Sequence, residues 1–293
     1  MELRTLTTIE EFRQVLALEQ RVWGYTTAED SVPAMILLVS SRVGGFVIGA
    51  FDPSAGSGSP RAGSRGEGGR LVGFAYSMPA VRGGTPYQWS HMLAVDTDYR
   101  DSGLGWRLKL EQRRLVMASG LDLVAWTFDP LQAANAHLNF AKLGIVAREY
   151  HEDAYPDSSS ALHAGTATDR LVAEWWLTSG RVVERLDSAT PGAARGAEDG
   201  RRALAAATLV NRVREGDAWI EPEGHDLALD AARLGVVVPT GFTEMQQMDL
   251  PLARDWRSAT REMFETLLAR GYVVEDFVLD RPARRGTYIL ARP

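Results

Sequence analysis

Arg100, Gly103 and Gly105 carry the clearest chemical signal in the chain. They stand in AVDTDYRDSGLGWRLKLEQRR (Ala94 to Arg114), spaced R-x-x-G-x-G between an apolar strand-like run and a charged helix-like run. The first N–H groups of a helix lack partners inside it and carry partial positive charge, so they attract phosphate. Glycines let the backbone approach an anion closely and adopt positive φ. A dinucleotide fingerprint needs a third glycine where this chain has Leu108, and a P-loop needs a terminal Gly-Lys-Ser/Thr that is missing. On the loop alone, a plain strand-to-helix turn accounts for these residues as well as phosphate binding does.

The elements around the loop follow from periodicity. Met1 to Leu6 alternates as a strand. A helix begins after Thr8, with Glu11 completing a capping box, and a second helix covers Ala34 to Val43. GGFVIGAFD, Leu71 to Val81 and Tyr87 to Val95 read as strands. Residues 52–70 (DPSAGSGSPRAGSRGEGGR) form an insertion too polar and glycine-rich to bury a face, and are expected to be flexible. A helix from Gly103 to Ala118, the strand LDLVAWTF, a helix from Leu131 to Leu143, and the strands IVAREYHED and RLVAEWWL complete this half. From Arg181 the composition shifts. DSATPGAARGAEDGRR reads as a linker, and ALAAATLVNRV and LGVVVPT mostly as strands. Asp249 caps a long helix with Pro251 in its first turn and Gly271 at its end, and YVVEDFVLD with GTYILAR forms a closing hairpin.

Composition narrows the function classes. The chain has 293 residues, enough for one large domain or two. Its formal net charge of −6 argues against a nucleic-acid partner. The longest apolar run, Val32 to Val39, is far short of the ~20 residues that span a bilayer, and MELRTLTTIEEF is no secretory signal. There is no cysteine, so an acyl-cysteine intermediate and cysteine-held zinc are excluded. A cytoplasmic location is the expectation. Lys109 and Lys142 are the only lysines among many arginines, as a GC-rich genome would give.

The order β-α-α-β-β-β-α-β-α-β-β, with R-x-x-G-x-G after the fourth strand, resembles the GCN5-related N-acetyltransferase (GNAT) superfamily over roughly Met1 to Leu177. SHMLAV, WTFDPL, NAHLNFAKLG and TDRLVAEWW look like a bacterial subfamily of predicted acetyltransferases with an extra C-terminal region, which VVVPTGFTEMQQMDLPLARDWR resembles. The resemblance implies an α+β fold of three layers: a mixed, mostly antiparallel twisted sheet flanked by helices. Residues 1–180 would be the catalytic domain, and 181–293 a smaller α+β region with an acceptor-binding or interface role.

The resemblance also implies roles. The backbone from Asp101 through Ser102, Gly103, Leu104 and Gly105 to Trp106 would hold the pyrophosphate of an acyl-coenzyme A, with the Ser102 hydroxyl adding to it and Arg100 at the family's Gln/Arg position. Leu93, Ala94 and Val95 would pair with the pantetheine arm as an added strand, and the Leu93 N–H would bond the thioester carbonyl. Asn135 would touch the pantetheine, although the usual asparagine position holds Ala133. Many relatives place a tyrosine general acid where FAKLG has Phe140, which has no proton to give. His91, two residues before Leu93 and so on the same strand face, is the candidate base; a packed histidine bonded to a neighbour is the alternative. Trp89 and Asp129 are candidate acceptor-side residues, with capping of the Leu131 helix the preferred role for Asp129. Glu149, His151, Glu152 and Asp153 either line the acceptor side or form a solvated acidic loop. Arg257 and Arg261, one turn apart, would bind a carboxylate; surface pairing with Asp255, Glu262 and Glu265 is the plainer alternative.

The expectation is an acyl-CoA-dependent N-acyltransferase that acts by direct attack in a ternary complex on a primary amine of a small molecule such as an amino acid. Acetyl is the default acyl group and succinyl the runner-up. No metal, nucleic acid or membrane is expected, and a homodimer is compatible. A coenzyme A-binding sensor or scaffold without transferase activity is the alternative that Phe140 favours; an unrelated nucleotide-binding module is a weaker third.

Overall fold

In the computed structural model, which describes residues 1–24, 30–56, 69–156, 165–187 and 197–292, the chain divides into two compact units. The first runs from Met1 to Ala125 and the second from Trp126 onward. Part of the expected insertion (57–68) and part of the expected linker (188–196) lie outside the described residues.

The first unit begins with β1 (Glu2–Thr5) and α1 (Ile9–Trp23). The Glu11 N–H donates to Thr8 Oγ1 at 3.3 Å, and the Thr8 N–H donates to Glu11 Oε2 at 3.0 Å. This is the expected capping box, and Gly24 closes the helix at φ 62°. Then come α2 (Ala34–Arg42), β2 (Phe46–Asp52), β3 (Arg70–Arg82), β4 (Thr85–Val95), α3 (Leu104–Ala118) and β5 (Leu123–Phe128), whose last residues enter the second unit. The strand order is β1-β2-β3-β4-β5; all neighbours are antiparallel except β4 and β5.

Each face of this sheet is packed. On one, Phe12, Val15 and Leu18 of α1 and Leu37 of α2 bury against Phe74, Tyr76, Met92 and Ala94. On the other, Leu104 and Leu108 of α3 bury against Ile48, Ala50, Val72 and Ala75, with Leu93 and Val95 packed beside them. Each buried Val, Leu, Ile, Phe or Met among these contributes roughly 1.5–3 kcal/mol by leaving water.

The second unit continues with α4 (Ala133–Ala136), which runs into a π-helical stretch, His137–Leu143, ended by Gly144 at φ 74°. The single helix expected from Leu131 to Leu143 thus starts at Ala133 and is π-helical through its C-terminal part. Next are β6 (Val146–His151), β7 (Arg170–Trp176), α5 (Gly180–Asp187), α6 (Ala197–Ala205), β8 (Thr208–Leu209), β9 (Asn211–Glu215), β10 (Ile220–His225) and β11 (Arg233–Pro239). α7 (Phe242–Met248), α8 (Leu250–Ala269), β12 (Val273–Asp280) and β13 (Arg285–Ala291) follow. The sheet order is β7-β6-β12-β13-β11-β8, antiparallel except for β11 and β8, and β9 pairs with β10 separately.

Two expectations change here. Residues 197–205, divided between linker and strand in the sequence reading, form a helix before β8. The compositional shift at Arg181 is also not a division of the core. Ala147 of β6 pairs with Val274 of β12, and the Phe140 ring meets Tyr288 at 5.7 Å. The fold is mixed α+β with a mostly antiparallel sheet. No helix among the described residues is long and apolar enough to cross a membrane.

Candidate functional site

The first unit holds the loop and the strand before it. β4 carries a bulge. Ser90 pairs with Ser77 of β3, but Met92 pairs with Tyr76, so His91 is an extra residue with no Cα partner in the register. A bulge resets the alternation of faces. Ser90 bonds to α3 and Leu93 packs beside it, three positions apart yet on one face. The His91 ring sits edge-on to Tyr76 at 5.9 Å, on the face that α1 and α2 cover. This corrects the expectation that His91 and Leu93 share a face: period-two counting fails across an inserted residue. His91 is solvent-exposed at its edge, and partial enclosure by its neighbours lowers its pKa below the ordinary histidine value.

Before the bulge, Gln88 of β4 pairs with Val124 of β5 and Trp89 with Ala125. Beyond the bulge, Leu93, Ala94 and Val95 pair with Ala75, Phe74 and Gly73 of β3. Trp89 is half-buried over Tyr87, Leu123 and Ala125, a core role. The end of β4 is anchored. The Asp96 N–H donates to Val72 O at 2.8 Å, and the Asp96 carboxylate is ion-paired with Arg70 and with Arg21 at 3.5 Å. Burial pushes the Asp96 pKa up, but these cations and nearby donors more than offset it, and the net shift is downward.

The loop then turns through two left-handed positions, Asp101 at φ 59° and Gly103 at φ 79°. Gly103 is the N-cap residue of α3, and no side chain caps that helix. The N–H groups of its first turn therefore keep their donor capacity for an outside acceptor. A Cβ added at Gly103 would meet no atom within 4 Å, and one at Gly105 only Leu93 Cδ2 at 3.9 Å and Val95 Cγ2 at 4.0 Å. The space over both glycines is open, and with the uncapped helix start it fits a pyrophosphate held by backbone donors. Ser102 departs from its expected role: its hydroxyl donates to Tyr99 O at 2.6 Å. Arg100 is exposed.

The second unit accounts differently for its candidates. Arg257 grips Asp129 with both terminal nitrogens, Nη1 to Oδ1 at 2.8 Å and Nη2 to Oδ2 at 2.7 Å, with both residues buried. Arg170 stands 3.8 Å from the same carboxylate, and the Leu131 N–H donates to Asp129 Oδ1 at 2.9 Å; this closes a turn ahead of α4, whose N-cap residue is Gln132 with no side-chain cap, in place of the expected capping of a helix from Leu131. Burial alone would raise the Asp129 pKa, but the Arg257 charge and bonds hold it below the usual carboxylate value. Arg261 donates to both oxygens of Asp169 at 2.9 and 2.8 Å and pairs with Glu152. Asp169 also accepts from the Tyr150 hydroxyl at 2.7 Å. The two arginines share a face of α8, but that face is inward and already matched by carboxylates. They are not free cations awaiting a substrate, and their partners are not the surface acids expected from helical spacing. The sequence signal for these partners is the pair Asp169-Arg170 at the start of β7, which the sequence reading did not single out.

Asn135 is exposed on α4 and Ala133 is buried. Phe140 is fully buried in the π-helical stretch, edge-on to Phe128 at 5.9 Å and to Tyr288. The Tyr288 hydroxyl donates to Pro130 O at 2.6 Å, and burial raises its pKa well above the ordinary value. Among the described residues no group of three or more His, Asp or Glu is placed to hold a metal ion.

A scan against protein-family models and a search of curated proteins return no match. Solved structures similar to the chain include acetyltransferases. The acetyltransferase of GNAT family from Streptococcus pneumoniae is 17% identical, covering 59% of this chain and 98% of that one at a TM-score of 0.43. The ribosomal-protein-S18-alanine N-acetyltransferase from Escherichia coli is 15% identical, covering 61% and 95% at 0.45. The aminoglycoside 6'-acetyltransferase type Ii is 16% identical, covering 61% and 99% at 0.43.

Proposed function

We propose that the chain is an acyl-CoA-dependent N-acyltransferase whose cofactor-binding residues lie in the first unit. One observation carries this reading: the end of β4 leads through a glycine turn directly to the uncapped N-terminus of α3. An elongated ligand with a pyrophosphate at one end and amides along its length would use both features.

When bound, an acyl-CoA supplies an activated thioester. The N–H groups from Asp101 to Trp106 bind its pyrophosphate, and Arg100 adds positive charge at the mouth of the turn. Because the Asp96 N–H bonds Val72 O of β3, alternation turns the Ala94 backbone groups toward β3 as well and those of Leu93 and Val95 away from it, and these two residues offer N–H and C=O groups to the pantetheine amides as a strand edge would. The Leu93 N–H polarises the thioester carbonyl and stabilises the negative charge that develops on its oxygen. His91, neutral at pH 7, accepts a proton from the acceptor amine; the peptide N–H of Leu93 lies in the sheet plane, so a base on either face remains compatible. Phe140 supplies no proton to the leaving sulfur, which a thiol of pKa ~8.5 tolerates. Acetyl is the default acyl group and succinyl the runner-up. The acceptor is a primary amine of a small molecule such as an amino acid, and recognition of an acceptor carboxylate by Arg257 or Arg261 is not part of this reading.

A thermal-shift series with coenzyme A, acetyl-CoA, succinyl-CoA and NAD tests it. Stabilisation by the CoA compounds is expected, and stabilisation by NAD alone would overturn the reading. Thiol release is then followed against a panel of amino acids and amines. A coenzyme A sensor without transferase activity is the second reading, favoured by the buried Phe140; binding without release across the panel would select it.

A further inference from the structure

Ser90, Lys109 and Gln112 are all buried, on β4 and α3. They close a triangle: Lys109 Nζ donates to Ser90 Oγ at 2.9 Å and to Gln112 Oε1 at 3.1 Å, and Gln112 Nε2 donates to Ser90 Oγ at 3.1 Å. Ser90 immediately precedes the extra residue of the bulge, and Lys109 lies one turn beyond Gly105 on the helix that starts at the loop. Leu104 and Leu108 of the same helix pack on the sheet beside it.

A lysine amine inside such a core is costly to bury, and an apolar side chain of similar length would fill the space at lower cost. Burial already brings its pKa down to about 7. A bulge, in turn, is a place where ladder bonds are interrupted and the strand is less constrained. The triangle supplies side-chain bonds from α3 at that place.

We propose that Ser90, Lys109 and Gln112 are positioning residues that lock the β4 bulge to α3, so that the Leu93 N–H and the loop donors at Asp101 to Trp106 are held at a fixed separation. This deepens, and rests on, the acyl-CoA reading: the first group contacts the thioester end of the ligand and the second its pyrophosphate. Loss of the lock leaves both half-sites intact but lets one drift against the other. A misplacement of about 1 Å at a reacting centre costs on the order of 100-fold in rate, so turnover suffers far more than affinity.

The test uses Lys109→Met, Ser90→Ala and Ser90→Thr in the full chain. Backbone hydrogen exchange is read at Met92 to Val95 and Ser102 to Trp106, with acyl-CoA affinity by calorimetry, kcat and KM, and the thermal midpoint. In Lys109→Met and Ser90→Ala, exchange at these amides is expected to rise at least ~10-fold, a loosening of local opening equilibria, while strands β1 and β2 stay protected. kcat falls by ~10- to 100-fold with KM for acyl-CoA within about threefold of wild type. Ser90→Thr keeps the hydroxyl and keeps wild-type exchange and kcat. If Lys109→Met does not fold, the Ser90 pair decides alone. Unchanged exchange in Ser90→Ala overturns the lock, as does a rise spread evenly over the whole first unit. Failure of the wild type to bind acyl-CoA overturns the reading of the site instead, and the exchange data still decide whether the triangle holds the bulge.

Discussion

Arg257 and Asp129 meet in the second unit as a two-pronged ion pair inside the protein, at 2.8 and 2.7 Å. Asp129 is at once the cap of the turn after β5 and the counter-charge for a residue more than a hundred positions away. Removing one partner of a buried pair strands the other charge, at a cost of roughly 3–5 kcal/mol. Arg257→Ala is therefore expected to lower unfolding free energy by that amount in urea titration. Arg257→Lys should recover little, because an ammonium cannot reproduce the planar fork. A substrate-binding arginine would behave otherwise: stability would hold and KM for the acceptor would rise.

Much of the first unit was legible in its sequence. Thr8 and Glu11 announced α1, alternation announced β1, apolar runs announced β2, β3 and β4, and the order of elements, continuing into the second unit as far as β7, stands as expected. The bulge at His91 was not legible, because a register shift is a relation between two strands and leaves no trace in the periodicity of one. In the second unit, α7 buries Phe242, Met245 and Gln246, a pattern only seven residues long. β10 contains Pro222 and Gly224, residues that argue against a strand, and its register shifts between them. The pairing of Arg257 with Asp129 and of Arg261 with Asp169 spans sequence distances that helical spacing cannot report.

Two buried groups give stability opposite slopes with pH. Burial raises the pKa of Glu19, whose Oε2 accepts from Ser31 Oγ at 2.7 Å, from 4.5 to about 7. Between those values the folded chain holds a proton that the unfolded chain has lost, so Glu19 makes stability fall as pH rises from 4.5 to about 7. Lys109 is the reverse. Its pKa drops from 10.5 to about 7, the unfolded chain holds the extra proton between them, and stability rises with pH across that window. Each slope approaches about 1.4 kcal/mol per pH unit at most. Denaturant titrations from pH 5 to 10 should show Glu19→Gln removing the fall and Lys109→Met removing the rise. Parallel pH profiles for wild type and both variants would refute the assignment.

His91 sets the acid limb of turnover in the proposed reaction. Its pKa is lowered from the ordinary histidine value by its partial enclosure, so kcat/KM should rise with pH through an inflection below 6.5 and then level off. His91→Ala should lose most of the plateau rate and the inflection with it. Full turnover by His91→Ala at pH 7 would remove it as the base.

The two loop glycines separate fold from ligand. Gly103 adopts φ 79°, so Gly103→Ala is strained by about 1 kcal/mol or more and should lower the thermal midpoint. Gly105 has an unexceptional φ, and its added Cβ would meet only ordinary contacts, so Gly105→Ala should fold as wild type. If the backbone must approach a pyrophosphate there, Gly105→Ala still weakens acyl-CoA binding, by ~10-fold or more. Equal affinity would leave the glycine as a turn residue only.

Calorimetric titration of acetyl-CoA into the wild type and into Gly103→Glu tests the central claim most directly. The account predicts saturable one-to-one binding by the wild type and no measurable binding by the folded variant, whose carboxylate would occupy the place of the pyrophosphate at the start of α3. Equal affinities in the two proteins, or no binding by the wild type, would contradict it.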